Sequence, residues 1–410
     1  MRRALLTAGS VIAGIFILQA GNGLFGSFLA VRMTIESFAT PVIGLVVTGY
    51  PLGFLLGCLF VPRLVRNVGH IRTFAALAAV LCCTALAFEV LITPAVWGAL
   101  RLLTGFACAG LFMIGESWLN EKAPSGTRGT VFAIYMISNM TAVSASQLML
   151  AVADPRGPAL FMLCAGAFAA CLIPVALTRA SEPRLPSVEP IGLVGLYRLS
   201  PVAVVGCIGT GLMNTALSGI GPVYATHVGL AIAEVGAFMS ALQFGGMLLQ
   251  WPIGRISDRM DRRRVLLAVT TGMIVVALAV AVVGPGSRPL LFLLVALYGG
   301  LAYTLYPIAV SHANDHADRG QVVSVSAGLL LAWAAGSVGG PPLATLAMTA
   351  FGPSALFLYL AFVAGTLAVF TAWRITRRGA QPKEQRKPFV PKAPTTPLAG
   401  ELDPRVSAQN

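Results

Sequence analysis

Twelve apolar runs, each long enough to carry an α-helix across a membrane, leave this chain few folds to choose from. A helix needs roughly 17–25 mostly apolar residues to span the hydrocarbon layer. In the first half the runs are Leu5–Val31, Ile43–Val61, Phe74–Leu91, Val96–Ile114, Val131–Val152 and Leu160–Leu177. In the second half they are Val202–Val223, Val235–Ile253, Val265–Val283, Leu290–Val310, Val322–Ala347 and Leu356–Trp373. Helices are required because lipid offers no hydrogen bonds to an unpaired strand, and the period-two alternation of a membrane barrel is absent. Arg2 and Arg3 precede the first run as in a secretory signal. That run exceeds the apolar core of about 7–15 residues a signal carries, so it reads as the first span.

Charge settles the solvent and the orientation. Only 10% of residues are charged and 57% are hydrophobic, against about a quarter charged in soluble domains. With both termini in the cytoplasm, 24 of the 28 Lys and Arg fall on the inner side. Arg32, Arg156 and Arg288 fall outside, and Arg101 sits within a span. The positive-inside rule selects this topology, in the cell inner membrane. The net charge of +13 follows from that bias and a basic tail, so it does not argue for nucleic acid. All seven cysteines lie inside predicted spans, where small buried side chains are the simplest reading.

The halves repeat at an offset of about 192 residues. Asn22 corresponds to Asn214, Gly44 and Gly53 to Gly236 and Gly245, and Ser117 and Asn120 to Ser311 and Asn314. Arg128 corresponds to Arg319 after a short gap. Such a repeat predicts two six-helix bundles related by an axis along the membrane normal, with a binding site between them. The expected organisation is a bundle over 1–178, a cytoplasmic linker over 179–200, a second bundle over 201–374, and a disordered basic cytoplasmic tail over 375–410.

After the eighth span stands Gly254-Arg-Ile-Ser-Asp258-Arg259-Met-Asp261-Arg262-Arg263. It resembles the loop signature of the major facilitator superfamily, with Asp261 in place of the second Gly. The resemblance implies that Asp258 pairs with a neighbouring helix end and helps lock an inner gate. The matching first-half loop is degenerate, with Arg66 where the carboxylate would stand. The fourth span carries Arg101-x-x-x-Gly105, similar to another signature of that family. An Arg in a span costs roughly 2.5–3.5 kcal/mol on insertion scales. It therefore either pairs with Glu89 or faces a wet cavity, attracting anionic groups or tuning proton transfer. Gly336-Ser-Val-Gly339-Gly340-Pro341 resembles an antiporter element displaced to its repeat partner, and close helix packing is the preferred explanation. Glu116-Ser-Trp-Leu-Asn120 with Arg128, and Leu305-Tyr306-Pro307 with His312-Ala-Asn314-Asp315, resemble the YcaD-like branch. Arg66, Glu116, Asn120, Arg128, Asp258, Arg259, Arg262, Asn314, Asp315 and Arg319 are the gating candidates.

Polar side chains at helical spacing mark cavity faces. The expected substrate contacts are Gln19 and Asn22, Arg101, Tyr135 and Asn139, Asn214, Gln243, Tyr303 and Tyr306, and Trp333. No Asp or Glu occupies the middle third of a span, so proton coupling through a midplane carboxylate has no obvious residue. No catalytic set, phosphate-binding loop, metal site or cofactor site is read. The chain is expected to be an all-α secondary transporter of a small organic solute, uncharged or anionic, working by alternating access. Efflux of amphipathic compounds and a non-transporting scaffold of the same fold are the alternatives. The expected partners are the lipid bilayer and the small-molecule substrate, with the protein monomeric.

Overall fold

The computed structural model describes residues 2–122, 128–177, 191–283, 286–318, 321–377, 379, 386 and 388–400. Its first half comprises α1 (Arg2–Ile35), α2 (Thr40–Val68), α3 (His70–Val90), α4 (Pro94–Lys122), α5 (Arg128–Leu148), and α6 (Ala159–Ala170) continued by α7 (Leu172–Ala176). A short α8 (Leu193–Leu199) leads into α9 (Pro201–His227), α10 (Ile232–Arg259), α11 (Arg262–Val283), α12 (Arg288–Asn314), α13 (Val322–Phe351) and α14 (Ala355–Arg377). Twelve of these helices, taking α6 and α7 as one, are long and apolar enough to cross a membrane. They form two six-helix bundles, as the repeat predicts. Residues 179–190 of the expected linker lie outside the described residues, and α8 packs its buried Leu196 against Gly328 of α13.

Glycine sets how closely the helices cross. A Cβ on Gly53 would lie 1.9 Å from the Leu102 carbonyl oxygen, and one on Gly105 2.0 Å from that of Tyr50. The same crossing recurs in the second half, at 1.8 Å between Gly245 and Ala296 and 2.0 Å between Gly299 and Leu242. The Gly of Arg101-x-x-x-Gly105 is therefore the point where α4 lies on the α2 backbone. Gly336 and Gly340 on α13 meet the carbonyls of Ile208 and Leu212 on α9 in the same way. Without a hydrophobic force between helices in lipid, this backbone approach supplies the dispersion contact that holds them.

The bundles meet at one end and part at the other. At the end carrying the α1–α2 and α9–α10 turns, called here the far face, Gly44 of α2 abuts Pro341 and Thr345 of α13, and Gly236 of α10 abuts Gln147 of α5. Arg32, 5% exposed, ties the first bundle together there. It pairs with Glu36 at 2.8 Å and Glu89 at 3.7 Å and donates to the Pro155 and Arg156 carbonyls. Glu89 is thus engaged by Arg32, and the expected Glu89–Arg101 pair does not form.

At the opposite, basic face the bundles separate, and a piece of the C-terminal tail fills the gap. Disorder over 375–410 is therefore not met in residues 388–400. There Val390, Lys392, Thr396, Leu398 and Ala399 are buried, and a 3₁₀ turn spans Pro397–Gly400. The tail's apolar and hydroxyl side chains, alternating with prolines, fit a protein groove better than water.

Candidate functional site

A cavity of about 280 Å³ lies between the bundles. Gln19, Asn22, Arg101, Asn214, Gln243, Tyr303 and Trp333, all expected substrate contacts, line it. The repeat-related Asn22 and Asn214 approach from α1 and α9, one per bundle. Gln243 of α10 bonds the Tyr303 hydroxyl of α12, fixing both polar ends.

Three expected contacts lie elsewhere. Tyr135 is fully buried, and its hydroxyl donates to Glu116 at 2.8 Å. Asn139, one turn along the same stripe, is buried among helices and not in the lining. Tyr306 packs edge-on behind Trp333 at 6.4 Å. Each has the right period, but its stripe faces a neighbouring helix.

The structure adds residues that periodicity missed. Tyr50 of α2 accepts a hydrogen bond from Asn22 Nδ2 at 3.1 Å. Gln147 of α5 accepts from Ser27 Oγ at 2.6 Å and donates to the Gly23 carbonyl at 3.1 Å. Tyr50 stands alone among apolar neighbours, so no polar stripe pointed to it. Gln147 sits one residue beyond Ser146, which bonds its own helix instead.

Arg101 dominates the electrostatics. It is 6% exposed, and its guanidinium lies 4.8 Å from the Tyr50 ring centroid and 6.0 Å from that of Phe25. Its Nε and Nη1 are buried without a hydrogen-bond acceptor, and no carboxylate among the described residues pairs with it. Aromatic faces attract a cation but leave its N–H donors unused. Trp333 adds a buried indole N–H, also without an acceptor. The cavity thus presents a fixed cation and spare donors, with amide groups beside them.

At the basic face the residues of the loop signature form a charge cluster. Arg262, at the start of α11, pairs with Asp315 at 2.6 Å, the two side chains 1% and 2% exposed. It also donates to Ser257 at 3.1 Å and reaches Asp258 at 3.4 Å. The main clamp between helix ends is thus Arg262–Asp315, from α11 to the end of α12. Asp258 takes the weaker contact and accepts the Phe389 amide at 2.7 Å. Asp261 accepts the Arg263 amide at 3.0 Å, which makes it an N-terminal cap of α11 and explains a carboxylate where the signature has Gly. Burial pushes the Asp261 carboxyl up, but its hydrogen bonds from Arg263 outweigh this and hold it below the usual range. Arg66 and Arg259 are exposed, Asn120 is half-buried, and Asn314 is buried at the end of α12. The Arg128 side chain and Arg319 lie outside the described residues.

Comparison with known proteins gives a consistent picture. The model of the Major Facilitator Superfamily matches residues 11–327 and also 203–404. YcaD of Salmonella arizonae, an uncharacterized MFS-type transporter, is 27% identical over 357 residues, covering 86% of this chain and 92% of that protein. YcaD of Salmonella enteritidis PT4 matches with the same identity and coverage. Among solved structures, the nucleoside transporter NupG superposes with a TM-score of 0.73 at 15% identity, over 91% of this chain and 99% of that one. A bacterial homologue of the human lysosomal transporter Spinster, inward-facing and occupied, gives 0.70 at 13% identity, over 93% and 97%.

Proposed function

The chain belongs to the major facilitator superfamily, and on that premise we propose that it moves a small organic anion across the membrane by alternating access. It is a multi-pass membrane transporter of the YcaD-like group. The observation that carries the anion is Arg101, a buried cation in the cavity lining whose Nε and Nη1 have no hydrogen-bond acceptor. A carboxylate or similar group entering the cavity would take up those donors, while Asn22, Asn214 and the Trp333 indole bind the rest of the solute. Charge-assisted hydrogen bonds of this kind contribute about 1.5–3 kcal/mol. The distribution of Lys and Arg supports reading the basic face as the cytoplasmic one, with the protein in the cell inner membrane and both termini inside.

Matched probes test this reading. The purified full chain is heated with benzoate, succinate or phenyl phosphate, and with benzamide, succinamide or phenol as neutral counterparts. One or more anions should raise the unfolding temperature and their neutral partners should not. A ligand at a hundredfold excess over Kd stabilises by about 2.7 kcal/mol. Arg101→Met should abolish the shift and leave the ligand-free protein at least as stable as wild type, because an uncompensated buried cation is gone. Asn22→Ala and Asn214→Ala should weaken it. Equal stabilisation by the neutral partners would contradict an anionic substrate, and a fall in ligand-free stability of Arg101→Met would assign Arg101 a structural role.

A further inference from the structure

The cavity does not open freely at the basic face, because part of the chain itself lies across the opening. The segment from Pro388 to Gly400 carries prolines at 388, 391, 394 and 397, every third residue. That spacing matches the three residues per turn of a polyproline helix, which is extended before binding and so loses little entropy on docking. At about 3.1 Å per residue, the stretch from Phe389 to Thr396 reaches about 22 Å, enough to bridge two bundles.

Both of its anchors are carboxylates, one from each bundle. At its start, the Phe389 amide donates to Asp258 on α10, and a Cβ added to Gly254 would lie 2.4 Å from the Phe389 ring. Near its end, Thr396 Oγ1 donates to Glu116 on α4, and Lys392, 4% exposed, brings its charge to the same carboxylate. Glu116 is fully buried, and it also accepts a hydrogen bond from Tyr135. A buried carboxylate is costly unless paired and hydrogen-bonded, so the tail supplies what Glu116 needs in this geometry. Between the anchors, Pro394 lines the central cavity, and Ala393, Pro394 and Thr395 wall an adjoining space of about 210 Å³ that reaches Asn22, Tyr50 and Trp333.

We propose that residues 388–400 form a tethered plug, docked between Asp258 and Glu116, that blocks the route from the basic face to the cavity until it is released. The groove between α4, α10 and α13 is then a binding site for a proline-repeat segment, and the chain's own tail is its occupant. Release would leave Glu116 and Asp258 open to the entrance, which gives these two helix-borne acids a task in admission. This inference goes beyond the choice of substrate and is tested without one.

Hydrogen exchange on the full chain reads docking directly. The amides of Phe389, Val390, Lys392 and Ala393 should exchange at least about tenfold more slowly than in a free peptide of residues 386–400. In the Asp258→Asn, Glu116→Gln double variant they should exchange like the peptide, with the helices still protected. A thiol probe then reads the block. In a chain with its seven cysteines replaced and Thr215→Cys introduced in the cavity wall, a water-soluble maleimide should label at least about tenfold faster once the chain is ended at Arg386. Peptide-like exchange in the wild-type chain would overturn docking. Equal labelling with and without the tail would overturn the plug, and neither result would bear on whether a carrier cycle exists.

Discussion

Replacing Gly53 or Gly245 with leucine should cost the protein about 3 kcal/mol or more each, and the double substitution should prevent recovery of folded protein. Overpacking in a core commonly costs about 1–3 kcal/mol when side chains can shift. Here the obstacle is backbone. A first side-chain carbon would lie 1.9 Å from the Leu102 carbonyl oxygen at Gly53 and 1.8 Å from that of Ala296 at Gly245. Neither oxygen can yield without moving a helix, so α2 must part from α4, or α10 from α12, along the crossing. Gly98→Ala and Gly166→Ala are the controls, since nothing lies within 4 Å of a Cβ at either position. Those should be neutral or gain up to about 1 kcal/mol from helix propensity. Thermal unfolding in detergent, with size-exclusion profiles, separates the two classes.

Arg262→Ala and Asp315→Ala should each destabilise the second bundle by about 3–5 kcal/mol, because either one removes the 2.6 Å counter-charge from a buried charge. The side chains are 1% and 2% exposed and 2.6 Å apart. Arg262 also serves Ser257 and Asp258, so its loss should be the larger. The joint replacement Arg262→Met with Asp315→Leu should recover a good part of the loss, since no charge is stranded. Arg288–Glu234 is the comparison: Arg288 is 55% exposed, and breaking that pair should change stability by less than about 1 kcal/mol. Unfolding temperatures of these variants decide it, and equal effects at the buried and exposed pairs would contradict the clamp.

The twelve spans and the repeat were legible because lipid imposes both. A helix must be long and apolar to cross, and duplicated helix crossings need glycine at corresponding places, so Gly53 and Gly245 carry the repeat in the sequence itself. Asn22 and Asn214 were legible for a related reason, an amide inside an apolar run having few uses outside a cavity or a helix contact. What periodicity cannot tell is which neighbour a polar stripe faces. Tyr135 and Asn139 share a stripe as regular as that of Asn214 and Ser218, yet Tyr135 serves Glu116 while Asn214 lines the cavity. Glu89 was a reasonable partner for Arg101 by depth in the membrane, but α1 brings Arg32 nearer to it. The tail is a different case: its low apolar content and basic charge are the marks of disorder, yet within residues 388–400 Val390 and Leu398 are buried. The proline at every third residue was the signal available, and it announces a pre-extended ligand for a groove.

The central claim is that two bundles rock about a cavity they share, and distances between spin labels test it most directly. One label pair sits on exposed Arg66 and Arg259 at the basic ends of α2 and α10, and another on exposed Val90 and Phe351 at the far ends of α3 and α13. In lipid, the account predicts that an anion which raises the unfolding temperature will shift the two distance distributions in opposite directions, one face closing as the other opens. A single unchanged distance at both faces, with that ligand present and with the chain ended at Arg386, would contradict it and leave a static membrane scaffold in its place.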